Sequence, residues 1–279
     1  MTGAGSGPQG TAWTGGPVTA VAECVLAPNP GPMTLDGTNT WVLHAPGSAA
    51  AVVVDPGPDD ERHLRAVLAA VHRRGARVTQ VLLTHGHADH SAGARAFADL
   101  AGGVGVRALD PRHRYGAQGL HGGDVVHADG LRVDVLATPG HTADSLSFVL
   151  TAGAAPPAVL TGDTVLGRGS TVVAHPDGRL GEYLASLHLL ERLCEQAPAP
   201  ELLLPGHGPV LDRPLDVVRH YLTHRHQRLE QVRAALAAGD RGPAEVVRRV
   251  YADVPPELWP AAELSVRAQL EYLATGATG

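Results

Sequence analysis

Thr84-His85-Gly86-His87-Ala88-Asp89-His90 follows the apolar run Val81-Leu82-Leu83 and precedes the small residues Ser91, Ala92 and Gly93. A short apolar run reads as a buried strand, and the small residues after the His cluster read as the start of a helix. The ligand-type side chains therefore sit on a strand-to-helix turn, where they can converge on one point. Three His and one Asp fall within six residues. Imidazole and carboxylate are good ligands for a borderline ion such as zinc.

Three later apolar runs end the same way. Leu131, Val133 and Val135 alternate with polar residues and lead to Thr138-Pro139-Gly140-His141-Thr142. Ala158 to Leu160 leads into Thr161-Gly162-Asp163-Thr164, and Leu202 to Leu204 into Pro205-Gly206-His207-Gly208-Pro209. Glycine beside each ligand permits a tight turn and close backbone approach to an ion. Five His and two Asp exceed what one four-coordinate site needs. They fit two metal ions with a shared carboxylate and room for water.

The remaining pattern frames these turns. Val18 to Val25 reads as a strand, and Thr40 to Leu43 with Ala51 to Asp55 reads as a hairpin across Pro46-Gly47. Asp55 is either a turn-former or a group that orients a ligand. Leu64, Val67, Leu68 and Val71 form one helical stripe that Gly75 ends. Ala92 to Leu100 reads as a short helix, Val104 to Leu109 as a strand, and residues 110–130 as a Gly- and His-rich loop. Leu146 to Leu150 is a further strand, and Tyr183, Leu184, Leu187, Leu190 and Cys194 share a helical face.

The 279 residues are 44% hydrophobic, enough for a sizeable core, and no apolar run is long enough to span a membrane. Residues 1–17 have neither the basic start nor the apolar core of a secretory signal and read as a disordered tail. Cys24 and Cys194 cannot build a disulfide framework, so a cytoplasmic setting is expected. A net charge of −6 argues against non-specific nucleic-acid binding but leaves room for a local basic face.

The set HxHxDH, then His141, Asp163 and His207, resembles the metallo-β-lactamase superfamily. The resemblance implies an α/β fold, a four-layer αβ/βα sandwich, over residues 18–211. It assigns His85, His87 and His141 to one metal, Asp89, His90 and His207 to the other, and Asp163 to both. Asn29-Pro30-Gly31-Pro32-Met33-Thr34-Leu35, Gly37-Thr38-Asn39-Thr40, Gly162 to Gly167, Pro205 to Val210 and the His224-Arg225 segment are similar to the β-lactamase-like protein 2 group. That likeness implies a di-zinc hydrolase, binding two Zn2+ ions per chain, which acts on single-stranded RNA or on a thioester or other small ester.

A metal lowers the pKa of bound water from 15.7 to about 7 and so supplies hydroxide at neutral pH. Asp89 can both ligate and orient that nucleophile. Thr84 and Thr142 are candidates for bonds to ligands, or simply local caps. Asn39 is a candidate lining residue and His175 a candidate proton donor; a buried turn Asn and a loop His are the alternatives.

Residues 212–279 change character: Val218 to Leu236, Ala244 to Tyr251 and Ala261 to Leu273 read as three helices. The group carries a small winged-helix-like end, and this region is similar, with a wing strand expected to be short or absent. Arginine outnumbers acid between 213 and 249, so the region is either an RNA surface or a solvated helical face closing the catalytic domain.

Overall fold

The computed structural model describes residues 12–276. In chain order the strands and helices are β1 (Gly16–Pro17), β2 (Ala22–Leu26), β3 (Asn39–His44), β4 (Ala50–Val54), α1 (Glu61–Arg73), β5 (Arg77–Leu82), α2 (Ala88–Ser91), α3 (Ala94–Leu100) and β6 (Val106–Arg107). Next come β7 (Val125–Ala128), β8 (Leu131–Ala137), β9 (Leu146–Ala152), β10 (Ala155–Gly162), α4 (Leu180–Glu195), β11 (Leu202–Pro205) and β12 (Leu211–Asp212). Three α-helices end the described chain: α5 (Pro214–Ala237), α6 (Pro243–Val250) and α7 (Trp259–Ala274), the last entered through a 3-10 turn at Pro256–Leu258.

The strands form two six-stranded mixed sheets, ordered β1-β2-β3-β4-β5-β6 and β12-β11-β10-β9-β8-β7. Alternation along each strand builds the layers, because successive side chains point to opposite faces. Trp41, Leu43, Val52 and Val54 face inward and meet Val133, Val135, Phe148, Leu150, Leu160 and Leu204 between the sheets. Val42, Ala51, Val53 and Val81 point the other way, against Leu64, Val67 and Val71 of α1 and Phe97 of α3. On the far face of the second sheet, Val149, Val159 and Leu203 pack on Tyr183 and Leu187 of α4 and on Val218 and Tyr221 of α5. The result is the four-layer αβ/βα sandwich. A fourth cluster ties α5 to α6 and α7 through Val232, Val246, Val250 and Val266.

The expected tail at 1–17 falls mostly on residues outside those described, but its end is not disordered. Gly16–Pro17 pairs with β2, and Trp13 Nε1 donates to Asn39 Oδ1 at 2.8 Å. Burial of Trp13 against the inter-sheet core outweighs the floppy composition around it. Residues 110–130 are not all loop, since β7 closes the edge of the second sheet against β8. Among the described residues no strand follows Asp212, so the C-terminal region is three helices with no wing strand. No helix of the described chain is long and apolar enough to cross a membrane.

Candidate metal centre

The two sheets present their ligand-bearing turns at one rim. The turn after β5 runs straight into α2, so His85, His87, Asp89 and His90 wrap around a single chain reversal. The turns after β8, β10 and β11 carry His141, Asp163 and His207. Space is tight there: a Cβ on Gly206 would lie 2.4 Å from Asp163 Oδ1 and 2.8 Å from His90 Cε1. Gly140, at φ +129°, lies so close to the Tyr183 backbone that a Cβ would meet it at 2.3 Å.

The seven expected ligands fall into two neighbouring groups. Ligand atoms of His85, His87, His141 and Asp163 lie within 4.8 Å of one another, as do those of Asp89, His90 and His207. His87 Nδ1 is 3.1 Å from both His85 Nε2 and His141 Nε2, while His90 Nε2 is 3.1 Å from His207 Nε2. Asp163 stands between the groups, with Oδ2 3.6 Å from His141 Nε2 and 3.4 Å from His207 Nε2. Asp89 Oδ2 is 3.2 Å from His207 Nε2 and accepts a hydrogen bond from Thr38 Oγ1 at 3.1 Å.

Outward bonds fix which nitrogen faces in. His141 Nδ1 donates to Val172 O at 2.7 Å, and His207 Nδ1 donates to Gly37 O at 3.2 Å. His90 Nδ1 donates to Asp55 Oδ2 at 2.9 Å. Thr84 Oγ1 donates its own proton to Asp55 Oδ2 at 2.6 Å, so it accepts from His85 Nδ1 at 3.0 Å. All four rings thus turn Nε2 inward. Asp55 is therefore more than a turn-former: it also accepts from Thr84 N at 2.8 Å and so holds two residues of the ligand turn. It does this from the left-handed region, φ 51°, which Asp tolerates better than most residues.

Burial disfavours charge on His85, His90, His141 and His207, and at His85 and His141 it prevails, lowering both below the ordinary histidine value. Burial acts in the same sense on His90 and His207, yet Asp163 overcomes it, raising His90 well above that value and His207 to about 9. Burial would raise Asp163 and Asp89, but His207 and His90 hold both carboxyls below the usual range. A divalent cation satisfies the same carboxylates and frees the inward nitrogens to bind it. One atom tests the fit directly. Asp163 Oδ1 is buried without a hydrogen-bond partner, which in a native interior calls for an ion or a water. The donor set fits a metal.

Two sequence expectations need correction. Asn39 does not line a pocket. It is fully buried, donates to Pro205 O and Gly208 O at 2.9 Å, and accepts from Trp13, so it straps the His207 turn to β3. His175 faces Glu271 Oε2 at 3.6 Å and does not line the cavity at the metal rim. The Thr142 hydroxyl serves its own turn, through Asp144 and Ser145. Thr171, which carried no sequence signal, places Oγ1 3.1 Å from His141 Nδ1.

That cavity, of about 410 Å³, opens from His141 and Asp163. Leu35, Leu166 and Val172 form one wall, and His224, Arg225, Arg228, Val254, Leu258 and Ala262 of the C-terminal region form the other. The three-helix end therefore closes the catalytic rim.

A two-sheet αβ/βα sandwich with a His/Asp cluster at one rim is the architecture of a metal-dependent hydrolase. Residues 33–207 match the Metallo-beta-lactamase superfamily, and residues 243–275 match the Beta-lactamase associated winged helix domain. The chain belongs to the metallo-β-lactamase superfamily and is a hydrolase of that fold. It is similar to the Beta-lactamase-like protein 2 homolog of Caenorhabditis elegans, at 30% identity over 89% of this chain and 82% of the relative. It is also similar to an Atrochrysone carboxyl ACP thioesterase of Aspergillus fumigatus, at 32% identity over 84% of this chain and 74% of the relative. In fold it is similar to a beta-lactamase domain protein from Burkholderia ambifaria, with TM-score 0.78 and 23% identity over 96% of this chain and 91% of the other.

Proposed function

We propose that the protein hydrolyses an acyl thioester, or a related small ester, at a centre that binds two Zn2+ ions through His85, His87, His141, Asp89, His90, His207 and the shared Asp163. The observation that carries this reading is the cavity. It reaches His141 and Asp163, and Leu35, Leu166, Val172, Val254, Leu258 and Ala262 give it an apolar surface that suits an acyl group, beside Arg168, Arg225 and Arg228. The thioesterase name of the Aspergillus fumigatus relative supports the same choice.

Bound at the rim, zinc supplies Lewis acidity toward a carbonyl oxygen and acidifies a water. The chain's own residues do the rest. Thr38 holds Oδ2 of Asp89, leaving Oδ1 to orient the attacking water; the Asp89 side chain is 29% exposed, the less buried of the two carboxylates. The apolar walls align the acyl chain and exclude competing water. Hydroxyl from the water joins the acyl carbon, the C–S bond breaks, and the departing sulfur takes the hydrogen.

Single-stranded RNA is the other substrate the resemblance implies. Base stacking needs free aromatic faces. Here Tyr221 is buried with its hydroxyl on the Leu166 and Gly169 carbonyls, Tyr251 is covered by Arg228, and Trp259 and Tyr272 are half-buried against the helical clusters. The test is one panel, in which zinc-loaded protein is given acyl thioesters, simple esters and a labelled single-stranded RNA, each with and without chelator. Chelator-sensitive thioester cleavage, lost in Asp89→Ala, is expected. Chelator-sensitive RNA cleavage with no thioester turnover would replace this reading with the other.

A further inference from the structure

The cavity holds a cation that the hydrolytic chemistry does not use. Arg225, on α5, is only 5% exposed. Its Nη2 donates to Thr171 O at 2.5 Å, and its Cζ lies 4.8 Å from the Tyr183 ring centroid. Its Nε is buried with no hydrogen-bond partner, and no close hydrogen bond engages Nη1, although the Tyr183 hydroxyl lies near the guanidinium. Among the described residues Arg225 pairs with no carboxylate. Its neighbours differ: Arg168 pairs with Asp36, and Arg219 pairs with Glu191 and Glu195. A buried guanidinium is ordinarily matched by an anion, because a carbonyl and a ring face only partly replace its lost hydration.

The surroundings sharpen the point. Arg225 lines the cavity that begins at His141 and Asp163. Asp163 cannot serve as its counterion, being committed to the histidines. Arg228, three residues on, gives Nη1 to Val250 O at 2.6 Å and stacks on Tyr251. His224 is pushed down to about 4 by burial and by Arg225 and Arg228, so it is neutral at pH 7 and does not compete for an anion. The path between the metal rim and Arg225 is short. Thr171 touches His141 through its hydroxyl and Arg225 through its carbonyl.

We propose that Arg225 seats a carboxylate on the acyl part of the substrate, so that the enzyme selects thioesters of short dicarboxylic acids, held between the metal rim and a guanidinium. This rests on the thioesterase reading. The apolar walls take the intervening hydrocarbon, and Nη1 of Arg225 takes the far anion.

The test uses zinc-loaded full-length protein and the N-acetylcysteamine thioester of glutaric acid beside its neutral methyl ester. The acid is expected to be preferred in kcat/KM by about 10- to 100-fold, the scale of one hydrogen bond to a charged group. Most of the difference should lie in KM. Arg225→Met should remove the preference, and Arg225→Lys should keep part of it, with zinc content unchanged in both. Binding of unreactive glutaric monoamide against glutaramide, followed by calorimetry, supplies a readout independent of turnover. Equal handling of acid and ester by the unmutated enzyme, or a preference that survives Arg225→Met because the carboxylate sits on the metals, would overturn the proposal and leave Arg225 a strut for the Thr171 loop. Selective binding of the monoamide that depends on Arg225, without turnover of any thioester, would keep the anion seat and remove the hydrolytic reading instead.

Discussion

The turn at residues 84–90 builds the metal rim, and the wall at residues 251–262 lines the cavity that opens beside that rim at His141 and Asp163; the two are made by opposite routes. The first concentrates four ligand-type side chains in one chain reversal, with His85 and His90 each fixed by a bond behind the ring. The second brings scattered side chains, Val254, Leu258 and Ala262, across from a separate helical cluster. Chemistry here depends on local geometry held to fine tolerance. Substrate choice depends on packing between distant segments. Substitutions in the turn should therefore damage all substrates alike, and substitutions in the wall should discriminate among them.

The sharpest test of that division is Asp163→Ala. It removes the carboxylate between both ligand groups, so metal content should drop by elemental analysis and turnover of every substrate should fall about 10³-fold or more. Asp55→Ala comes next. The inward nitrogens remain, but His90 and Thr84 lose their tether, and metal affinity measured by chelator competition should fall about 10- to 100-fold. Leu258→Trp narrows the cavity from the helical side. Bulky acyl thioesters should lose about tenfold in kcat/KM while short ones and bound metal stay unchanged; a uniform loss would erase the contrast between turn and wall. The smallest effect belongs to His175→Ala. Since His175 faces Glu271 away from the cavity, turnover and melting should stay within about twofold and about 0.5 kcal/mol of the parent.

The ligand turns were legible because each couples an apolar run to Gly and a His or Asp over a few residues, a pattern short enough to survive without knowledge of the fold. The α1 stripe was equally local: Leu64, Val67 and Val71 are buried as its spacing requires, and Asp60 caps the helix by accepting from His63 N. What stayed open or escaped has no such signal. The sequence left Asp55 between a turn-former and a ligand-orienting group, because its bonds to Thr84 and His90 span 29 and 35 positions and no spacing rule links them. Strands β1 and β12 are two residues each and exist only as partners of longer neighbours. Asn39 read as a pocket residue because its polarity is visible in sequence, whereas the four partners that enclose it are not. Thr171 and Arg225 matter through contacts between a loop and a helix 54 positions apart.

The cavity's divided ownership has a consequence for how such enzymes diverge. None of the seven expected ligand positions falls in 251–262, so mutations accumulating there can remodel the cavity while the metal rim is preserved. New specificities in descendants of this chain should arise first in that short connector and its flanking helices.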